Sequence, residues 1–171
     1  MTDTIHISIS YDSLKSKIKS NLAVMGKRYI DNNGHLQFSK VTVSSAEETL
    51  LADFVHNAIH TVISAIIDLV HNYEEVTSTP VYATYSFDVT NTRWSVSSND
   101  SFKDAFAFTV SSFCVMQALA DFYAFYFNEQ SQYYNVKAAA TLNEIKNLCY
   151  YKQPSESALD MFEAPETTTT I

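Results

Sequence analysis

Residues 44–60 read SSAEETLLADFVHNAIH, and this stretch decides the fold. Ser45 and Glu48 have the spacing of a capping box, in which two side chains bond the free N–H groups at the start of a helix. Apolar residues then recur at intervals of three and four as far as Val70, which is the period of a helix with one buried face. The pattern predicts a long α-helix from Ser45 to about Tyr73.

Composition favours a single helical domain with few irregular loops. The chain has 171 residues, a length that suits one domain with one core. It contains 11 Phe and 11 Tyr but only two glycines and three prolines, so long regular elements are expected.

The formal net charge of −8 argues against a groove that binds nucleic acid, because such binding needs clustered lysines and arginines. The two common glycine-rich nucleotide-binding motifs are absent from the sequence.

The remaining pattern completes a mainly α fold with four helices, two of them long, and a small β-hairpin component. We assign residues 1–153 to one domain and residues 154–171 to an acidic, Thr-rich C-terminal arm. The other predicted elements are a strand at residues 4–9, a helix from Asp12 to Gly26, a tight turn at Asn33-Gly34, a β-hairpin at about 79–98, and two helices between Ser101 and Pro154.

Three features bear on the compartment of the protein. The uncharged stretch at residues 105–120 has sixteen residues, short of the roughly 20 that a membrane-spanning helix needs, so we predict a buried core helix and no membrane association. Cys114 and Cys149 lie in apolar helical stretches and form no C-x-x-C pair, which predicts reduced structural thiols. The N-terminal residues lack the pattern of a secretory signal, so synthesis in a reducing cytoplasm is expected.

The histidines of the long helix allow two interpretations. His56 and His60 have the i, i+4 spacing of zinc ligands, and Asp53 lies one turn upstream, so the three residues could form the metal site of a small metal-dependent enzyme. The helical hydrolase signature has Glu between its histidines, whereas Asn57 occupies that position here. The preferred interpretation is a polar face turned toward solvent or a subunit, with no metal, cofactor or catalytic residue. That face contains Asp53, Asn57, His60, Ser64, Asp68 and His71.

Tyrosines and a small apolar cluster in the arm are candidates for subunit or partner contacts. Tyrosine is enriched at protein interfaces, and the chain has more amphipathic aromatics than one core readily buries. A hydrophobic cluster in an acidic tail can likewise attach an arm to a neighbour. The candidates are Tyr133, Tyr134, Tyr150, Tyr151, Leu159, Met161 and Phe162.

Three segments in fixed order carry a family resemblance: SKIKSNLAVMGKR at 16–28, FSKVTVSSAEETLLADF at 38–54 and AAATLNEIKNLCYYKQP at 138–154. Over about residues 13–153 the chain resembles the small helical head–tail connector proteins, also called adaptor or ring proteins, of tailed bacteriophages. The resemblance is to those of Bacteroides phages, including crAss-like phages. It rests on the order and character of the elements, and it leaves ring, stopper and other neck components open.

The resemblance implies a structural virion protein at the portal vertex. Such a protein assembles as a ring, commonly of twelve copies, beneath the portal and extends the DNA channel toward the tail. Its partners would be itself, the portal protein and further neck or tail proteins, with genomic DNA passing through non-specifically. Besides the metal-dependent enzyme, a third interpretation is an acidic cytoplasmic adaptor that binds a partner peptide in an aromatic groove.

Overall fold

The structure, a computed structural model, describes residues 3–26, 45–76, 84–91, 100–125 and 127–150. Its elements are β1 (Asp3–Ser10), α1 (Tyr11–Gly26), α2 (Ser45–Ala65), a 3₁₀ turn (Ile67–Leu69), β2 (Val70–Val76), β3 (Thr84–Asn91), α3 (Asp100–Ala124) and α4 (Asn128–Tyr150). The predicted mainly α fold with a small β component is confirmed. The predicted Asn33-Gly34 turn and the arm at 154–171 lie outside the described residues.

The three strands form an antiparallel sheet in the order β1-β3-β2. Alternation of apolar and polar residues gives this sheet a buried inner face and a polar outer face. The pairs Ile7 with Phe87 and Ile9 with Tyr85 stand opposite each other on the inner face, where all four side chains are buried. Each such burial contributes about 1.5–3 kcal/mol, so the inner face is a major source of stability.

Helix α3 occupies the centre of the helical layer. It packs against α4 and α2 and also contacts α1 and β1. Its segment Phe102–Ala124 is long and apolar enough to cross a membrane, and half of its most apolar window is buried inside the protein. Half of this apolar window thus belongs to the core, to which the sequence assigned α3. Its buried side chains include Phe106, Val110, Phe113, Cys114, Ala118, Leu119, Phe122 and Tyr123.

Charged side chains tie the start of α2 to α1. Helix α2 begins at Ser45 as predicted, but the carboxylate of Glu48 serves a tertiary contact. Its Oε1 accepts a hydrogen bond from Lys19 Nζ at 2.9 Å and lies 3.0 Å from Lys15 Nζ. Both lysines lower the pKa of Glu48 through these hydrogen bonds and their charge. The contact holds the first turn of α2 against residues 15–19 of α1.

The prediction that α2 continues to about Tyr73 is wrong. The helix ends at Ala65, a 3₁₀ turn follows, and the chain enters β2 at Val70. The apolar period of three and four continues in the sequence past the end of the helix. Ile66, just after the helix, is still buried in the core, whereas the side chain of Ile67 is exposed. Pairing with β3 decides the conformation of the next residues, since tertiary contacts outweigh local helix propensity.

Strand β3 lies inside the hairpin predicted at about 79–98, but its observed partners differ from the expected ones. The sequence suggested pairing with the segment that follows Asn91. Instead, β3 pairs with β1 on one edge and with β2 on the other. Both edges of β3 are therefore occupied, one by the distant β1 and the other by β2, the strand that precedes it in sequence. Residues 79–83 and 92–98 lie outside the described ones.

A β-bulge in β2 determines which of its side chains face the helices. His71 stands opposite Asp88 and Glu74 opposite Ser86, so β2 has one extra residue between these pairs. Asn72 has a positive φ of 52°, and its side-chain amide donates a 3.0 Å hydrogen bond to Asp88 Oδ2. Because side chains alternate along a strand, one inserted residue exchanges the two faces for everything that follows.

The exchange of faces turns two polar side chains inward. Val70 stands opposite the buried Val89, before the bulge, and Glu75 stands opposite the buried Tyr85, after it. Tyr73 and Glu75 are both partly buried on this inner side, while Glu74 and Val76 are exposed. The bulge thus brings a phenol and a carboxylate up to helix α2.

We expect Asn72→Val to lower the free energy of unfolding by about 1–2 kcal/mol, because a side chain with a branched Cβ strongly disfavours positive φ. Asn72→Gly is the matched control, since glycine adopts positive φ freely and this variant loses only the amide contact with Asp88. Urea denaturation measures both variants. Equal stability of the Val and Gly variants would contradict the role of the bulge.

Candidate functional site

Two histidines and a glutamate meet where helix α2 faces strand β2. One ring nitrogen each of His56 and His60 and a carboxylate oxygen of Glu75 lie within 4.8 Å of one another. The His56 Nδ1 atom lies 3.4 Å from Glu75 Oε1, and the two imidazole centroids are 4.3 Å apart. We call these three residues the His–Glu cluster. Two imidazoles and one carboxylate form a donor set that can hold a divalent metal ion.

Tyr73 connects two members of the His–Glu cluster. Its hydroxyl donates a 3.1 Å hydrogen bond to Glu75 Oε2 and lies 3.4 Å from His60 Nε2. Burial, with the hydrogen bond to Glu75 and its charge, raises the pKa of Tyr73 from 10.0 to about 12. The phenol therefore remains a neutral hydrogen-bond donor that fixes the orientation of the Glu75 carboxylate.

The structure changes the ligand set suggested by the sequence. His56 and His60 come together as their i, i+4 spacing predicted, but Asp53 is exposed and takes no part in the cluster. Its charge instead contributes to the raised pKa of Tyr11 on α1, behind the larger effects of burial, Glu48 and Asp12. Glu75 supplies the carboxylate because the chain reverses after α2 and runs back beside it.

The predicted polar face of the long helix is correspondingly shorter. Asp53, Asn57 and Ser64 are exposed on α2. Asp68, however, lies in the 3₁₀ turn, and His71 lies on β2 opposite Asp88, on the outer face of the sheet. The Asp88 pKa is lowered chiefly by hydrogen bonds from Asn72 and His6. The helix end at Ala65 separates residues that a continuous helix would have aligned.

A second candidate site is a cleft between α1, α3 and α4, with a volume of about 350 Å³. We call it the cationic cleft, because two lysines stand among its aromatic and aliphatic side chains. It is lined by Lys17, Asn21, Phe108, Ser112, Val115, Met116, Leu119, Tyr133, Tyr134 and Lys137.

Both lysines of the cationic cleft lie over aromatic rings. Lys17 Nζ is 5.9 Å from the centroid of Phe108, and Lys137 Nζ is 4.5 Å from that of Tyr133. A hydrogen bond with Tyr133 and the electrostatic interaction with the same side chain raise the pKa of Lys137, which keeps this side chain positive. Burial raises the pKa of Tyr134, which therefore stays neutral. The cleft suits a ligand that combines negative charge with apolar groups.

Three of the seven interface candidates from the sequence lie in the described residues. Tyr133 and Tyr134 line the cationic cleft, with Tyr133 exposed and Tyr134 partly buried. Tyr150 is exposed at the end of α4. The remaining candidates, Tyr151, Leu159, Met161 and Phe162, lie outside the described residues. The sequence analysis did not identify Phe108 or Glu75 as site residues. For Glu75 a signal was present: in VHNYEEV, at 70–76, Tyr73 and Glu75 have the spacing of two that places residues on one face of a strand.

Cys114 and Cys149 are buried, as expected of structural thiols. Burial raises the pKa of both to about 12. Because the thiolate is the reactive form of cysteine, neither side chain is suited to be a nucleophile at neutral pH.

Comparison of the chain with protein-family models, with curated proteins and with solved structures finds no match.

The raised pKa of Tyr73 makes a prediction at alkaline pH. A group whose pKa is higher in the folded state contributes stability that is complete below its unfolded pKa and is lost as pH rises through the folded pKa. We therefore expect the stability difference between the wild type and Tyr73→Phe to be constant below pH 10.0 and to shrink up to about pH 12. Chemical denaturation across this range measures the difference. A difference that does not change with pH would contradict the assignment.

Proposed function

We propose that this protein is a structural component of a tailed-phage virion, a head–tail connector that forms a ring beneath the portal and extends the DNA channel toward the tail. It acts by assembly, with no catalytic step. Its partners are further copies of itself in a ring of twelve, the portal protein, and further neck or tail proteins. The resemblance described above and the surface of helices α3 and α4 support this proposal.

The observation that carries the proposal is the exposed apolar surface that includes part of the cationic cleft. Three large side chains are exposed there: Phe108 at 68%, Tyr133 at 51% and Val136 at 72%. We call these three residues the exposed apolar face. Large apolar side chains at the surface mark contacts with other proteins, and tyrosine and phenylalanine are enriched in such contacts. In the proposed ring, the exposed apolar face of one copy is covered by the adjacent copy.

Charge supplies a specific occupant for the cationic cleft. The C-terminal arm contains four acidic residues and the apolar cluster LDMF at 159–162. This combination of charge and apolar groups complements Lys17, Lys137 and the aromatic lining of the cleft. The twelve residues that follow Tyr150, as far as Phe162, can extend about 40 Å, which is enough to reach a neighbouring subunit. We place the arm of one copy in the cleft of the next.

The acidic composition suits passage of DNA. The chain has 19 acidic and 11 basic residues. A basic channel wall would retain DNA through phosphate contacts, whereas a wall of negative charge lets it slide. The proposal therefore assigns DNA no binding site on the protein.

We expect Phe108→Glu to abolish loading onto the portal, because it replaces an apolar contact with a charge that a closed interface must desolvate. Native mass spectrometry of the untagged protein, alone and mixed with its cognate portal protein, counts the subunits. Ala105→Glu is the matched control, since Ala105 is exposed on the same helix and does not line the cleft. A wild-type protein that stays monomeric with the portal would refute the connector function. If that monomer bound acidic peptides with aromatic residues in the cationic cleft, the protein would instead be a peptide-binding adaptor.

Removal of residues 155–171 and the substitution Lys137→Glu should weaken assembly by similar factors. Because both changes remove the same contact, their combination should weaken it no further than either change alone. Zero-length crosslinking of lysines to carboxylates, applied to a mixture of isotopically light and heavy protein, shows which chains are joined. We expect crosslinks from Lys137 to arm residues of the other isotope. Unchanged assembly after the deletion would refute this use of the arm.

A further inference from the structure

We propose that the His–Glu cluster is a zinc site formed by His56, His60 and Glu75, which joins helix α2 to strand β2. The inference rests on these residues alone and does not depend on the connector function.

The distances between the donor atoms suit a zinc ion. Zinc bonds imidazole nitrogen and carboxylate oxygen at about 2.0–2.2 Å in tetrahedral geometry, which puts neighbouring ligand atoms about 3.3–3.6 Å apart. The atoms His56 Nδ1 and Glu75 Oε1 are already 3.4 Å apart. The full set spans no more than 4.8 Å, so side-chain rotations are sufficient to bring the third ligand to the ion.

The two supporting elements fix the ligands independently. His56 and His60 lie one turn apart on α2, where neighbouring core residues such as Ile59 are buried. Glu75 is held in β2 by its register with Tyr85 and faces α2 because of the bulge at Asn72. A site whose ligands come from a packed helix and a paired strand is largely arranged before the ion binds, which reduces the entropy cost of binding.

Tyr73 adds the outer support that metal sites commonly have. Its hydroxyl bonds Glu75 Oε2, so Oε1 is directed toward the histidines. Hydrogen-bonded partners of this kind orient ligating carboxylates, and their loss typically costs 10–100-fold in metal affinity. Two imidazoles with one carboxylate is a donor set of zinc proteins, and three protein ligands leave one coordination position for water or for a group from a neighbouring molecule.

The test measures zinc binding to the full-length untagged chain. We expect native mass spectrometry to find one zinc ion per chain and thermal unfolding to shift upward by several degrees when zinc is added, because an ion that binds only the folded state stabilises it. Glu75→Gln and His60→Ala should each weaken zinc binding at least about tenfold and should remove the thermal shift. Two variants are used so that one decides the outcome if the other does not fold.

Two control variants separate this site from other histidines and carboxylates. Asp53→Asn removes the carboxylate on the same helix that lies outside the cluster, and His71→Ala removes a histidine on the outer face of the sheet. Both should bind zinc as the wild type does. The proposal is overturned if the wild type binds no zinc, if Glu75→Gln and His60→Ala bind it unchanged, or if a control variant loses it.

Discussion

The pairing of β1 with β3 is the contact on which the other features of the structure depend. It joins Ile7 to Phe87 across eighty positions of the sequence, and closure of so long a loop must be compensated by the apolar area that the pairing buries. The buried inner face of these two strands is the surface against which the helices pack. With β1 on one edge of β3, the other edge is available to β2. The position of β2 then determines what helix α2 faces.

Strand β2 shows how one backbone irregularity can create a chemical environment. A regular strand would continue the alternation set by Val70 and would turn Tyr73 and Glu75 to the outer face. The extra residue at Asn72 reverses that alternation, and the amide of Asn72 secures it by bonding Asp88. The inner side of an edge strand therefore carries a phenol and a carboxylate next to two imidazoles. Burial, followed by the hydrogen bond to Glu75 and the charge of its carboxylate, explains the raised pKa of Tyr73.

The two candidate sites share no residue and lie on different elements. The His–Glu cluster lies between α2 and β2, and the cationic cleft lies between α1, α3 and α4. This separation allows different roles. An ion in the cluster would reinforce contacts within one subunit, whereas the cleft would serve contacts between subunits. In a chain with a net charge of −8, two lysines held over aromatic rings make a local region that attracts acidic segments.

The sequence by itself determined the mainly α class, the first strand, the start of α2 at Ser45 and the buried character of α3. These features follow from local periodicity and capping, which depend on residues within a few turns of one another. Tertiary structure alone decided the end of α2 at Ala65, the central position of β3 and the replacement of Asp53 by Glu75 beside the histidines. Each of these is set by the pairing of β3 with its two neighbouring strands. An apolar segment such as the one at 66–70 suits either a helix or a strand until a partner strand supplies its hydrogen bonds.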